Sequence, residues 1–240
     1  MNDTARQRAY YERTADHYEA MHVCAGDEHG LALALFAGIA RRNGARAVLD
    51  VGAGTGRALE LLGAELPATR LVGIEPSEAL RGVGHAKGLS EDQLIGGSGE
   101  ALPFADDAFD FVIETGMLHH VPDPAKVVAE MVRVARLGVM ISDSNKFAQG
   151  GWALRKVKAL IDMAGLWKPF IWLQTRGKMA KWSEGDGLFY SYSVFNNYAQ
   201  IAQACTSVHV MNTFDGGLDP YRSASNVALL GLKRLALTTG

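Results

Sequence analysis

The stretch Val48-Leu49-Asp50-Val51-Gly52-Ala53-Gly54-Thr55-Gly56-Arg57 decides the fold. Three apolar strand formers in four residues run into a turn with glycine at every second position. Leu59, Leu62 and Leu66 then recur at helical spacing, with Leu61 beside them. The order is strand, turn, helix, the opening of an α/β nucleotide-type site. The glycines allow a tight turn and let backbone N–H groups approach a ligand. By itself this run would also suit a plain surface turn, so the flanking sequence has to decide.

The pattern repeats downstream. Leu71-Val72-Gly73-Ile74-Glu75 reads as a second strand, Pro76-Ser77 opens a helix to about Lys87, and Gln93-Leu94-Ile95-Gly96 is a third strand. Phe109-Asp110-Phe111-Val112-Ile113-Glu114 reads as a buried strand. Asp123-Pro124 supplies an N-cap and a first-turn proline for a helix with Val127, Val128, Met131, Val132 and Ala135 inward. Val139-Met140-Ile141-Ser142 is the fifth strand. Upstream, residues 4–20 read as a polar helix or helix pair carrying Tyr10, Tyr11 and Tyr18, and Leu31 to Arg42 as an apolar helix ended by Asn43-Gly44. A helix near Val194 to Ala204 and strands at Val208–Met211 and Asn226–Leu232 close the chain. Such alternation specifies right-handed βαβ crossovers and a parallel sheet covered on both faces, a doubly wound α/β fold. Ligands on such sheets bind beyond the strand carboxyl ends. That singles out Asp50, Glu75, Glu100, Glu114 and Asp143-Ser144-Asn145.

Composition narrows the function classes. A chain of 240 residues, 48% hydrophobic and 21% charged, is an ordinary globular domain, and a net charge of −2 gives no reason to expect nucleic acid. Cys24 and Cys205 lack metal-like or redox spacing, so free thiols in a reducing cytoplasm are expected. The N-terminus lacks an apolar signal core, and no run approaches the roughly 18 apolar residues of a membrane span.

Asp50-x-Gly52-x-Gly54-x-Gly56, with Glu75 nineteen residues past the last glycine, resembles the first two motifs of class I S-adenosylmethionine-dependent methyltransferases. The resemblance implies that the strand-end acid orients the methionyl part of the cofactor and that the second acid holds the ribose hydroxyls, a diol–carboxylate pairing suited to two charge-assisted hydrogen bonds. Gly99-Glu100-Ala101-Leu102-Pro103-Phe104 resembles the segment that closes over adenine. Phe109-Asp110-Phe111-Val112 and Met117-Leu118-His119-His120-Val121-Pro122-Asp123 resemble the fourth strand and following loop of the small-molecule subgroup. The segment carrying Tyr11 and Tyr18 looks like the one that folds over the cofactor.

The resemblance spans roughly residues 10–145 and the final two strands. It implies a Rossmann-like, mainly parallel seven-stranded sheet with the last strand antiparallel. It also implies S-adenosyl-L-methionine as cofactor and in-line methyl transfer to an O, N or C nucleophile of a small molecule. The implied cofactor residues are Tyr11, Tyr18, Asp50, Gly52, Ala53, Gly54, Gly56, Glu75, Pro76, Gly99, Glu100, Ala101, Glu114 and Thr115. One departure is Arg136-Leu137-Gly138, shorter than the usual proline–glycine link before strand five. The alternatives are an NAD-dependent oxidoreductase and a non-catalytic cofactor-binding module. The first also places an acid about twenty residues on, but spaces its glycines G-x-G-x-x-G, so Ala58 or Leu59 would have to stand in. Asp50 would also repel a pyrophosphate, whereas it would attract a cationic methionyl group.

His119 and His120 stand where a methyl acceptor would sit, as general base, acceptor-orienting group or plain loop structure. Asp143 and Asn145 at the end of strand five, with Tyr190 and Tyr192 after the turn Glu184-Gly185-Asp186-Gly187, are the candidate acceptor residues. No His/Cys/Asp cluster has metal-like spacing. Residues 146–181 hold eight Lys or Arg against the single acid Asp162, and all four tryptophans fall in or beside this segment. It reads as plain packing with solvated lysines, as an interfacial cap over an anionic or partly apolar acceptor, or, last, as a nucleic-acid surface. The whole chain reads as a single domain: 1–30 lid helices, 31–145 cofactor-binding core, 146–193 cap insertion, 194–240 terminal helix and strands. The cap is expected to set acceptor choice.

Overall fold

The computed structural model describes residues 3–22, 26–214 and 219–233; Cys24 lies outside them. Three helices precede the sheet: α1 (Asp3–Thr14), α2 (Tyr18–His22) and α3 (Glu28–Arg42). Then come β1 (Ala47–Val51), α4 (Arg57–Glu65), β2 (Arg70–Glu75), α5 (Glu78–Ala86), β3 (Leu94–Gly96), β4 (Phe109–Thr115), α6 (Pro124–Val134) and β5 (Ala135–Ser144). Helices α7 (Trp152–Met163) and α8 (Trp167–Gln174) and the hairpin β6 (Ala180–Ser183) and β7 (Gly187–Tyr190) follow. The chain returns through α9 (Tyr198–Ala204), β8 (Ser207–Asn212) and β9 (Asn226–Leu232).

The main sheet has seven strands in the order β3-β2-β1-β4-β5-β9-β8, with β6 and β7 as a separate pair. Strands β1 to β5 run parallel, and the last strand, β9, is antiparallel to both its neighbours. The order reverses between β1 and β4, the point at which doubly wound sheets open a crevice at their carboxyl ends. Alternate residues of β1 feed two cores. Val48 packs with Phe36 of α3 and Phe111 of β4, whose rings meet edge-on at 5.4 Å. Leu49 and Val51 face Val127, Val128 and Met131 of α6. Burial on both faces explains why these strands read as continuous apolar runs.

Local signals act as their chemistry dictates. Ser77 caps α5 and Asp123 caps α6, each side chain accepting from the backbone three residues on. Two boundaries differ from expectation. Helix α6 ends at Val134, and Ala135, expected on its inner face, opens β5 opposite Phe109. No linker separates the two elements. The Arg136 guanidinium is drawn to Asp110, whose carboxylate also accepts from the Arg46 and Ala47 amides, so the strand register starts early. The segment after β5 carries the β6–β7 hairpin as well as two helices. Among the described residues, no helix is long and apolar enough to cross a membrane.

Candidate functional site

Two cavities meet above the carboxyl ends of β1, β2 and β4. The smaller, about 390 Å³, is lined by Glu75, Pro76, Gly99, Glu100, Met117 and Val127, with Arg8 and Gln7 from α1. The larger, about 740 Å³, is lined by Asp50, Ala53, Gly54, Tyr18, Thr115 and Asp143 on the sheet side, and by residues of α7, α8 and β7 opposite. Tyr11, Gly52 and His120 border both.

The glycine turn fixes the junction. Gly52 has φ +76°, and a Cβ there would stand 2.6 Å from Met117 Cγ, so both its backbone and its surroundings require glycine. Gly54, at φ +55°, directs its amide to Glu75 Oε2 at 3.1 Å. Glu75 Oε1 accepts from the Ser77 amide at 2.8 Å. Glu75 therefore ties the two ligand loops together while its oxygens keep lone pairs toward the smaller cavity. Burial pushes its pKa up, against the pull of those two amides. Asp50 is 2% exposed, and its Oδ1 is buried without a partner. Burial, with Glu75 nearby, raises its pKa to about 7.

Two histidines stand where the cavities meet. His119 Nδ1 lies 2.7 Å from Asp143 Oδ1, and its Nε2 is 3.5 Å from Asp186. Burial by itself lowers the His119 pKa, but Asp143 and Asp186 outweigh it and raise it to about 10. His120 Nδ1 lies 2.7 Å from the Leu188 carbonyl, which makes it the protonated nitrogen, and Nε2 faces Asp186 at 3.3 Å. Burial raises the Asp186 pKa, and the hydrogen bonds from the two imidazoles reverse this, holding the carboxylate well below its ordinary range. Three potential ligand atoms of His119, His120 and Asp186 thus lie within 4.8 Å of one another. Spacing along the chain gives no hint of this grouping.

Several expected site residues have other employment. Asn145 is fully buried: its amide donates to the carbonyls of Pro220, Tyr221 and Ala224, and its Oδ1 accepts from the Phe147 amide and Ser193 Oγ. It staples the end of β5 and offers nothing to an acceptor. Tyr192 lines the larger cavity, but its hydroxyl is bound to Asn197 Oδ1 at 2.8 Å. The Tyr190 hydroxyl reaches Asp3 at 2.9 Å. Glu114 lies beneath the floor, accepting from the Met117 and Leu118 amides and shaping the turn before the histidines. Gly56 caps α4 against Leu89, and the Ala101 amide bonds Ser98 O; neither residue lines either of these two cavities.

Other residues escape sequence reasoning. Gln7, one helical turn before Tyr11, donates to the Asp186 carbonyl and accepts from the Leu188 amide, locking α1 onto the hairpin. Asp27 pairs with Arg57 at 2.5 Å, and Lys146 sits buried over the Trp167 ring at 5.0 Å. Burial lowers the Lys146 pKa to about 8. Only the Gln7–Tyr11 helical spacing gave a usable signal.

Comparison with known proteins agrees with this geometry. The family described as methyltransferase domain matches residues 49–142. An uncharacterized methyltransferase of Mycobacterium leprae (strain Br4923) is 29% identical over 145 residues, covering 60% of this chain and 53% of that protein. Another, from Mycobacterium sp. (strain JLS), is 39% identical over 98 residues, covering 40% of this chain and 36% of that protein. The chain thus spans about half or less of the length of these curated relatives. The fold is similar to magnesium protoporphyrin IX methyltransferase of Synechocystis PCC 6803 crystallised with S-adenosylmethionine: TM-score 0.64, 13% identity, 98% of each chain covered. It is also similar to an S-adenosylmethionine-dependent methyltransferase of Mesorhizobium loti: TM-score 0.56, 16% identity, 83% of this chain and 95% of that one. The glycine turn and strand order accompany this match: residues 49–142 are similar to the methyltransferase-domain family, and the fold is similar to that of solved S-adenosylmethionine-dependent methyltransferases.

Proposed function

We propose that the chain transfers a methyl group from S-adenosylmethionine to an O, N or C nucleophile of a small-molecule acceptor. The observation that carries this reading is the pair of buried carboxylates at the glycine turn. Asp50 has an unpartnered oxygen suited to a cationic ligand group, and Glu75 presents its edge to the smaller cavity. The donor set fits the cofactor: Glu75 for the ribose diol, Asp50 for the methionyl end, Gly52 as the close backbone approach, and the wall from Pro76 to Glu100 for adenine. When bound, S-adenosylmethionine supplies an electrophilic methyl on a sulfonium.

The chain's own residues then align and exclude water. Tyr11 and Tyr18 meet edge-on at 5.8 Å, and Tyr11 meets His120 at 5.9 Å, which roofs the junction with aromatic rings. For an acceptor carrying a proton, that proton is taken at His120 Nε2 in its neutral form, with the acceptor replacing Asp186 as the partner of that nitrogen. Its Nδ1–H stays anchored on Leu188 O, and Asp186 balances the new imidazolium. His119, with its raised pKa, remains cationic at neutral pH and screens Asp143 from the reaction. Positioning and desolvation supply most of the acceleration.

The segment 146–193 acts as a cap that sets acceptor choice; exchanging its cavity-facing side chains is expected to change the acceptor profile and leave cofactor affinity in place. The test of the acid–base role is His120→Ala. It should lower methyl incorporation into the acceptor that the unaltered protein labels by about 10²–10⁴-fold, with S-adenosylhomocysteine affinity kept within about threefold. Undiminished transfer would remove His120 from the chemistry.

A further inference from the structure

Helix α7 contains no buried residue, yet it is apolar on two opposite sides. Leu154, Val157 and Ile161, spaced i, i+3 and i+7, line the larger cavity. Trp152, Leu160 and Met163, spaced i, i+8 and i+11, fall on the other side and are 73%, 65% and 84% exposed. An amphipathic helix with one face in the core would show charge on that outer side. Helix α8 repeats the arrangement: Phe170 and Ile171 border the cavity, while Trp172 and Leu173 stand outward.

The outer apolar face is ringed with cations of one sign. Lys156 lies over the Trp152 ring at 5.0 Å, and Lys168, Arg176 and Lys178 are exposed and stand outside the lining of the larger cavity. The ion pairs among the described residues include none of these four. Asp162, the one acid between 146 and 181, lies 3.9 Å from Lys146.

We propose that this face docks the protein on the surface of an anionic lipid bilayer. Tryptophan and aliphatic side chains would sit at the headgroup–acyl boundary, with lysine and arginine on the phosphates. A second copy of the chain fits poorly, because a two-fold contact would oppose like charges across the interface. The same helices wall the acceptor cavity, so the acceptor is an amphiphile taken from that bilayer. This last step rests on the methyltransferase reading; docking itself does not.

The full chain is tested by co-sedimentation with vesicles of phosphatidylcholine alone and of phosphatidylcholine with phosphatidylglycerol. Docking predicts binding to the mixed vesicles, release by added salt and a blue shift of tryptophan emission. Lys156→Glu/Lys178→Glu should weaken binding by about fivefold for each cation lost, and Trp152→Ser/Leu173→Ser by on the order of tenfold or more. Both double variants alter exposed side chains and should bind S-adenosylhomocysteine like the parent in calorimetry. No preference for anionic vesicles would overturn the proposal. So would double variants that bind vesicles like the parent, or a dimer in light scattering that Trp152→Ser/Leu173→Ser dissolves. If the parent binds vesicles but not S-adenosylhomocysteine, docking stands and the methyltransferase reading falls.

Discussion

A buried carboxylate oxygen with no partner is costly unless a cation reaches it, and Asp50 is such a group. Its folded pKa of about 7 lies above an unfolded value of about 3.9. Its stabilising contribution is therefore complete below the unfolded value and is lost as pH rises through about 7. Asp50→Asn should raise the melting temperature of the ligand-free protein at pH 8, with the gain shrinking as the pH falls toward 4. A cationic ligand reverses the preference. Calorimetry of S-adenosylmethionine should show affinity rising as pH passes through 7, with a proton released on binding, and Asp50→Asn should abolish that dependence. His119 has the same sign for a different reason: its protonated form is the charged one, held by Asp143 and Asp186. With its pKa raised to about 10, its pairing with Asp143 contributes fully below the unfolded value of about 6.5 and is lost toward pH 10. The melting-temperature deficit of His119→Gln should therefore be largest near pH 6 and narrow at alkaline pH. Asp50 and Glu75 were legible in the sequence because each ends a strand beside the glycine turn. Asp186 was legible only as part of a polar turn; its meeting with the histidines was not, because only the packing of α1 and the hairpin brings it there.

At the scale of elements, apolar periodicity and caps located every strand of the main sheet, and the helices from α3 to α6, to within a few residues. What escaped them was contingent on tertiary partners. The junction of α6 and β5 depends on Arg136 meeting Asp110, and the β6–β7 hairpin lies in a segment whose tryptophans and lysines suit helix, strand or loop. Asn145 shows the same limit. By position it belongs with the acceptor residues, yet its five hydrogen bonds join the end of β5 to residues 193 and 220–224. Asn145→Ala should cost about 2–4 kcal/mol in urea unfolding, with S-adenosylhomocysteine affinity little changed in the folded fraction. A loss of affinity without a loss of stability would return Asn145 to the site.

Over the whole molecule, a cofactor-type crevice of familiar layout is covered by two additions that meet each other. Helix α1 is bound to the hairpin through Gln7, and the hairpin presents Asp186 to His119 and His120. The N-terminal segment and the segment after β5 therefore close the site jointly, so loosening one should expose the other. Gln7→Ala is expected to raise the proteolytic sensitivity of residues 175–187 and to lose that effect when ligand is bound. The central claim, that the glycine turn and its two carboxylates hold S-adenosylmethionine, is tested most directly by titration calorimetry of S-adenosylhomocysteine into the parent protein and Glu75→Ala at pH 7.5. Loss of two charge-assisted hydrogen bonds predicts affinity lower by on the order of a hundredfold in the variant. Equal affinity in the two proteins, or no binding to either, would contradict the account.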